Sequence, residues 1–401
     1  MTNRTRKSTT WIALESGGPG VDPSADGSGY VHVPTMGTGA DFIDDETELL
    51  DTNFEIGRNE DTAPVPGAQS WRTKYVTPLI GLAAAAGDGV TPGADDWLDL
   101  HMLHLFGTQA VRPGEGVGVG STVSSIVADS DVYSVEDLLP IVEAGLPAAG
   151  AVRAQWGHVE TDAGSGTYGI VPSIAAAPTT AGIIYGTKLY YPDADHRGGS
   201  TISLVRQEDD GLFLGRMGRI TGAKIVIPAR RMARLEVSIE GTQYGPTTKA
   251  SLPTPLPLAT TPLRGLLSPI NFGGTGYQTD TIEIDLMPST LPRETTDTDQ
   301  GVANREQMSL RPKVAISPLF AQSIQDLRSQ VTAGRLLVQL GAGTLVSGYL
   351  GTMAIWLGAA HARTVKKTDK SGRIHAAVEL QAHAGGILSG AARRYIMIAR
   401  A

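Results

Sequence analysis

Between Arg234 and Glu240 the chain alternates without a break. Leu235, Val237 and Ile239 fall on one side, and Arg234, Glu236, Ser238 and Glu240 fall on the other. Successive side chains of an extended strand point to opposite faces, so this pattern predicts a strand with one apolar and one wet face. Ala377–His383 repeats it, with Val378, Leu380 and Ala382 opposing Glu379, Gln381 and His383. Further strand signals lie at Trp11–Leu14, Tyr30–Val33, Ile183–Tyr191, Ile202–Arg206, Leu212–Met217, Ala223–Pro228 and Arg394–Ile398. A helical period shows in two places. Thr91-Pro92 suits a helix start, Asp95 and Asp96 sit where the positive helix end favours them, Leu98, Met102 and Leu105 form a stripe, and Gly107 closes it. Ser317-Pro318 opens a second such stretch, with Phe320, Ile324, Leu327 and Val331 as its stripe and Gly334 as its stop. Ser134–Leu139 predicts a third, shorter helix.

The order of these signals recurs. Around 51–107 and again around 280–334 an acidic strand comes first, Asp51–Glu55 in one copy and Asp280–Ile284 in the other. A polar loop follows, Gly57–Asp61 against Pro292–Asp297. Next comes a strand with basic residues two apart, Arg72 and Lys74 against Arg311 and Lys313, and then the helix. A chain written twice has internal pseudo-symmetry, which suits rings and tubes.

This organisation predicts a loosely tied N-terminal arm over 1–45, a first module over 46–245, a Pro/Thr/Gly-rich linker over 246–276 and a second module over 277–401. Residues 108–180 have no counterpart in the second copy and read as an insertion.

Composition narrows the class of function. The chain has 401 residues, enough for two or three domains, and 41% of them are hydrophobic. The net charge of −8 argues against tight nucleic-acid binding, because such a chain gains little from counterion release. With no cysteine, disulfides, zinc fingers and thiol catalysis are all excluded. Apolar runs such as Leu79–Ala86 are too short to span a bilayer as a helix, and the basic start (Arg4, Arg6, Lys7) lacks the apolar core of a signal peptide. The 49 glycines and 24 prolines are locally concentrated and read as turns between many short strands.

No motif carries chemistry. Gly114–Gly120 followed by Ser121 and Thr122 lacks the lysine that a phosphate loop needs. Asp99, His101 and His104 share the first helix, but the histidines are three apart rather than four, which favours packed side chains over metal ligands. His158 and Asp162 have no evident nucleophile beside them, and no G-x-S-x-G elbow occurs. His361, Lys366 and Lys367 belong to a basic hairpin tip over Arg363–Arg373, a solvated turn or a contact for DNA or another subunit. The pairs Glu60/Asp61 and Glu294/Asp297 lie in polar loops, where exposure or pairing between subunits is expected rather than acid–base chemistry. The sequence therefore predicts no enzyme, no cofactor and no metal.

The loops Arg58-Asn59-Glu60 and Arg293-Glu294, the runs Ser70–Pro78 and Gln307–Pro318, the strand Gly222–Gly241 and the closing strand together resemble the tail tube (major tail) proteins of bacteriophages with long non-contractile tails. The resemblance implies a mainly β chain with a few short helices. It implies two tandem β-sandwich or rolled-sheet modules whose inner strands form a β-barrel between subunits. It further implies a structural virion protein, in the virion tail and in the host cytoplasm during assembly, whose rings stack into the conduit for DNA ejection. With two modules per chain, a homotrimer gives a pseudo-sixfold ring; a homohexamer is the alternative. Implied partners are further copies of the chain, tape-measure, distal tail and tail terminator proteins, and viral DNA passing without specific binding, with no membrane. Glu236, Ser238, Glu240, Glu379, Gln381 and His383 are the candidate lumen-facing residues, since carboxylates repel phosphate. The competing readings are another virion ring or decoration protein, or a carbohydrate-binding or hydrolytic β-protein, which the low aromatic share of 5% disfavours.

Overall fold

The computed structural model describes residues 9–36, 44–50, 65–82, 95–142, 155–174, 177–180, 182–192, 198–208, 211–229, 231–255, 262–263, 270–273, 275–277, 279–294, 302–318, 334–341, 351–370, 373–382 and 395–401. The chain is mainly β. Its first part supplies β1 (Thr9–Leu14), β2 (Val31–Val33), β3 (Asp44–Leu50) and β4 (Val65–Pro78), then helix α1 (Trp97–Phe106) and β5 (Gly107–Arg112). Six strands follow in a separate sheet: β6 (Glu115–Gly116), β7 (Ser125–Val127), β8 (Leu138–Val142), β9 (Gln155–Asp162), β10 (Thr167–Val171) and β11 (Ile183–Ile184). The main sheet resumes with β12 (Thr187–Pro192), β13 (Ile202–Glu208), β14 (Gly211–Pro228), β15 (Arg234–Gly241) and β16 (Tyr244–Pro246). The remainder comprises β17 (Ile270–Phe272), β18 (Thr275–Tyr277), β19 (Thr279–Asp285), β20 (Pro288–Glu294), β21 (Val302–Leu310), β22 (Lys313–Pro318), β23 (Gly334–Gly341), β24 (Thr352–Lys370), β25 (Arg373–Ala382) and β26 (Ile396–Arg400).

Seven antiparallel pairings in the first half have counterparts in the second. Strands β1–β2, β1–β13, β13–β14, β14–β15, β14–β16, β15–β4 and β4–β3 pair in one. Strands β17–β18, β17–β23, β23–β24, β24–β25, β24–β26, β25–β22 and β21–β20 pair in the other. One difference is that β4 runs unbroken where β21 and β22 are interrupted at Arg311-Pro312, since proline supplies no ladder donor. Register agrees as well as order: Lys74 lies opposite Ser238, and Lys313 lies opposite Gln381. The halves meet through β19, which pairs with β22 on one side and with the far end of β14 on the other. A single apolar core runs under both, from Trp71, Ile225 and Leu235 to Ile284, Val314, Leu380 and Ile398.

Several expectations need correction. Residues 9–14 are no loose arm: β1 is paired on both sides, with Trp11 and Ile12 buried. Helix α1 is capped by Asp96, whose carboxylate accepts from the Leu98 and Asp99 amides; Thr91-Pro92 lies outside the described residues. Gly107 closes it with φ 80°, a left-handed angle that glycine adopts without strain. Ser317-Pro318 closes β22, where the Thr279 hydroxyl takes the Ser317 N–H and β19 pairs alongside; residues 319–333, which carry the stripe of the second expected helix, lie outside the described ones. Ser134–Asp137 is a turn, with Glu136 at φ 78° and the Asp137 carboxylate on the Ser134 N–H, and Leu138 starts a strand. The Asp51–Glu55 strand signal falls outside the described residues. The linker region contributes β17 and β18 to the sheet. The insertion supplies five strands of the six-stranded sheet, which Ile183–Ile184 beyond it completes, and has its own core around Tyr133, Tyr168 and Ile141, although Gly107–Arg112 belongs to the main sheet.

Candidate functional site

Residues directly opposite in an antiparallel ladder share a face. Following the register from β4 to β24 therefore traces one continuous surface across both halves. Arg72 and Lys74 on β4 face Glu240 and Ser238 on β15, and Glu236 faces Lys224 on β14. Lys224 faces Asp285 on β19, and Asp285 faces Lys313 on β22. Lys313 faces Gln381 on β25, and Glu379 faces Thr364 on β24. Glu236, Ser238, Glu240, Glu379 and Gln381 thus lie on the same face of one sheet, all partly exposed, with the buried Leu235, Val237, Val378 and Leu380 on its other side. His383 lies outside the described residues.

This face is not simply acidic. Lys224 Nζ pairs with Glu283 at 2.7 Å across the joint between the halves, and Arg234 Nε pairs with Glu236 at 2.9 Å. Glu379 has Lys313 at 3.9 Å and Arg363 at 4.0 Å. Such exposed pairs stabilise the fold little, but they alternate the sign of charge over short distances. Arg234 lies on β15 itself, but Lys224, Lys313 and Arg363 come from other strands, so β15 or β25 read alone understates the basic share of this surface.

The remaining titratable motifs have structural roles. His101 and His104 are fully buried under the sheet. His101 Nδ1 donates to the Trp97 carbonyl at 2.5 Å, leaving Nε2 to accept from the Tyr75 hydroxyl at 2.5 Å. His104 Nδ1 donates to the Ser200 carbonyl at 2.6 Å, and Nε2 accepts the Ile220 N–H at 3.1 Å. Burial pushes His101 down to about 4. Burial, reinforced by the nearby Arg219 charge, pushes His104 down to about 3. A second proton on His104 would abut the Ile220 N–H. Neither ring is presented to a metal, and no cluster of three metal-ligating side chains occurs among the described residues.

Asp99 lies at the centre of a buried ionic network that sequence reasoning missed. Burial acts to raise its carboxyl, but Arg400 and Lys188 outweigh it and hold the group below its usual range. Lys188 Nζ reaches Asp99 at 2.9 Å and Asp95 at 2.7 Å. Arg400 contacts Asp99, reaches Asp96 at 2.6 Å, and donates to the Gly81 carbonyl at 3.0 Å. Because Lys188 and Arg400 are neighbours in the β12–β26 ladder, the network locks α1 onto those strands. The only sequence signal for it was the acidic first turn.

The other motifs are also accounted for. The Gly114–Gly120 loop leads into a turn and β7, not a helix, and the Glu115 carboxylate accepts from the Ser130 hydroxyl at 2.6 Å. His158 stacks on Trp356 with ring centroids 4.2 Å apart. The basic tip is the turn of the β24–β25 hairpin, where Lys370 faces Arg373. No helix among the described residues is long and apolar enough to cross a membrane. No protein-family model matches the chain, and no curated protein matches it.

Proposed function

We propose that the protein is a structural component of a phage tail, without enzymatic activity, that closes into rings and stacks into the tail tube through which DNA leaves the capsid. The observation that carries this reading is the recurrence of the same pairing order and register in both halves, with β19 joining them edge to edge. Two tandem modules joined in this way favour a ring of three chains with pseudo-sixfold symmetry, in which the continuous polar face lines the lumen. Opposite charges a few ångströms apart along that face largely cancel at a distance, and salt screens what remains over about 8 Å at physiological ionic strength. Such a lining offers DNA no basic stripe to hold it, which suits passage without binding.

End-on electron micrographs of concentrated, purified protein test the reading. Threefold rings with six similar lobes, stacking into tubes, are expected. Protein that stays monomeric, with neither rings nor tubes, would overturn it.

A further inference from the structure

Resting on the ring reading above, we infer that the far half of β24, from Thr364 to Lys370, is the strand edge that receives a second copy of this chain, in the register that β14 uses for β19. The internal joint is the template. Lys224, Ile225 and Val226 of β14 lie opposite Glu236, Leu235 and Arg234 of β15, while their other edge lies opposite Asp285, Ile284 and Glu283 of β19. The matching residues of β24 are Thr364, Val365 and Lys366, which lie opposite Glu379, Val378 and Ala377 of β25. In β14 this stretch is covered, with Val226 5% and Ile227 2% exposed. In β24 Lys366 and Thr368 are exposed, and β25 is the strand paired with them among the described residues.

The complementary border is on the first half. Glu283 lies opposite Ala315 in β22, and the residue matching Ala315 in β4 is Val76. There the Met36 N–H donates to the Val76 carbonyl at 2.8 Å, so Met36 occupies the place of Glu283. Repeating the internal joint between copies therefore sets Met36 of one copy opposite Lys366 of the next. Charge agrees: Ser8–Gly57 contains no Lys or Arg and includes Asp44, Asp45 and Glu46, whereas the end of the β24–β25 hairpin carries Arg363, Lys366 and Arg373. The contact joins different surfaces of the two copies, so it repeats around a ring until it closes.

The chain has no native cysteine, so Met36→Cys with Lys366→Cys introduces the sole thiol pair. Directly opposed strand residues have Cα atoms about 4.5–5.5 Å apart, within the range a disulfide spans. Mild oxidation of the assembled double variant is expected to give covalent dimers and closed trimers on a non-reducing gel. Each single variant, and the pair Met36→Cys with Ile374→Cys placed on β25, should give no such ladder. Wild-type rings without a cross-link in the double variant would overturn the assigned edge and leave the tube reading standing. A link formed within one chain would also overturn it. Absence of any wild-type assembly would overturn both.

Discussion

Acidification should weaken this fold in a window set by two histidines. His101 and His104 stay neutral in the folded chain well below the pH at which they charge in the unfolded chain. A histidine depressed on folding contributes stability that is complete above its unfolded pKa, about 6.5, and is lost as pH falls below it. At pH 5 the unfolded chain is about 1.5 units below that pKa, so each ring costs about 2 kcal/mol, at about 1.4 kcal/mol per unit. The pair together costs about 4 kcal/mol. The comparison is the double variant His101→Phe, His104→Asn, unfolded in urea at pH 7 and pH 5 and followed by tryptophan fluorescence. The variant is less stable at pH 7, having lost the bonds to Ser200 and Ile220. Its loss between pH 7 and pH 5 should nevertheless be about 4 kcal/mol smaller than that of the parent. Glu115, which burial raises and which works in the opposite sense, is common to both proteins and cancels. Equal losses in parent and variant would refute the assignment of these rings as buried and neutral.

Two further outcomes follow from packing and charge. Arg400→Met removes the guanidinium from Asp96 and Asp99, and should cost about 3–5 kcal/mol, the range for breaking a buried ion pair; a urea midpoint unchanged from the parent would contradict the network. Gly241→Ala would place a Cβ 2.4 Å from the ring of Trp71, which is 1% exposed and has no room to shift; overpacking of this kind costs about 1–3 kcal/mol, and a thermal melt that does not move would count against this tight contact.

The strands with one wet face were legible because their period is visible locally: β15 and β25 lie where their alternation placed them, and Gly107 stops α1 as expected. What failed depended on partners far along the chain. Strand β14 looked like two strands, since Gly218 and Gly222 interrupt its apolar run. It continues because a Cβ at Gly218 would meet the Ile202 carbonyl at 2.8 Å, so the glycine serves a close approach rather than a turn. At Ser317 the Thr279 hydroxyl and β19 carry β22 as far as Pro318, an extension that the hydroxyl before proline did not announce. The candidate face was legible residue by residue on β15 and β25. Its mixed charge was not, because Lys224 meets Glu283 only through the β14–β19 pairing. The lock between Arg400 and Asp99 spans 301 positions and leaves no local pattern.

Strand β26 sits between β12 and β24, so residues near position 190 wait for residues near 398 before their ladder is complete. During synthesis at about 5–20 residues per second, that leaves on the order of ten seconds or more in which the earlier strand has emerged without its neighbour. A nascent chain interrupted before Ile396 would leave one edge of β12 and one of β24 unpaired, and Asp96 and Asp99 without the Arg400 guanidinium.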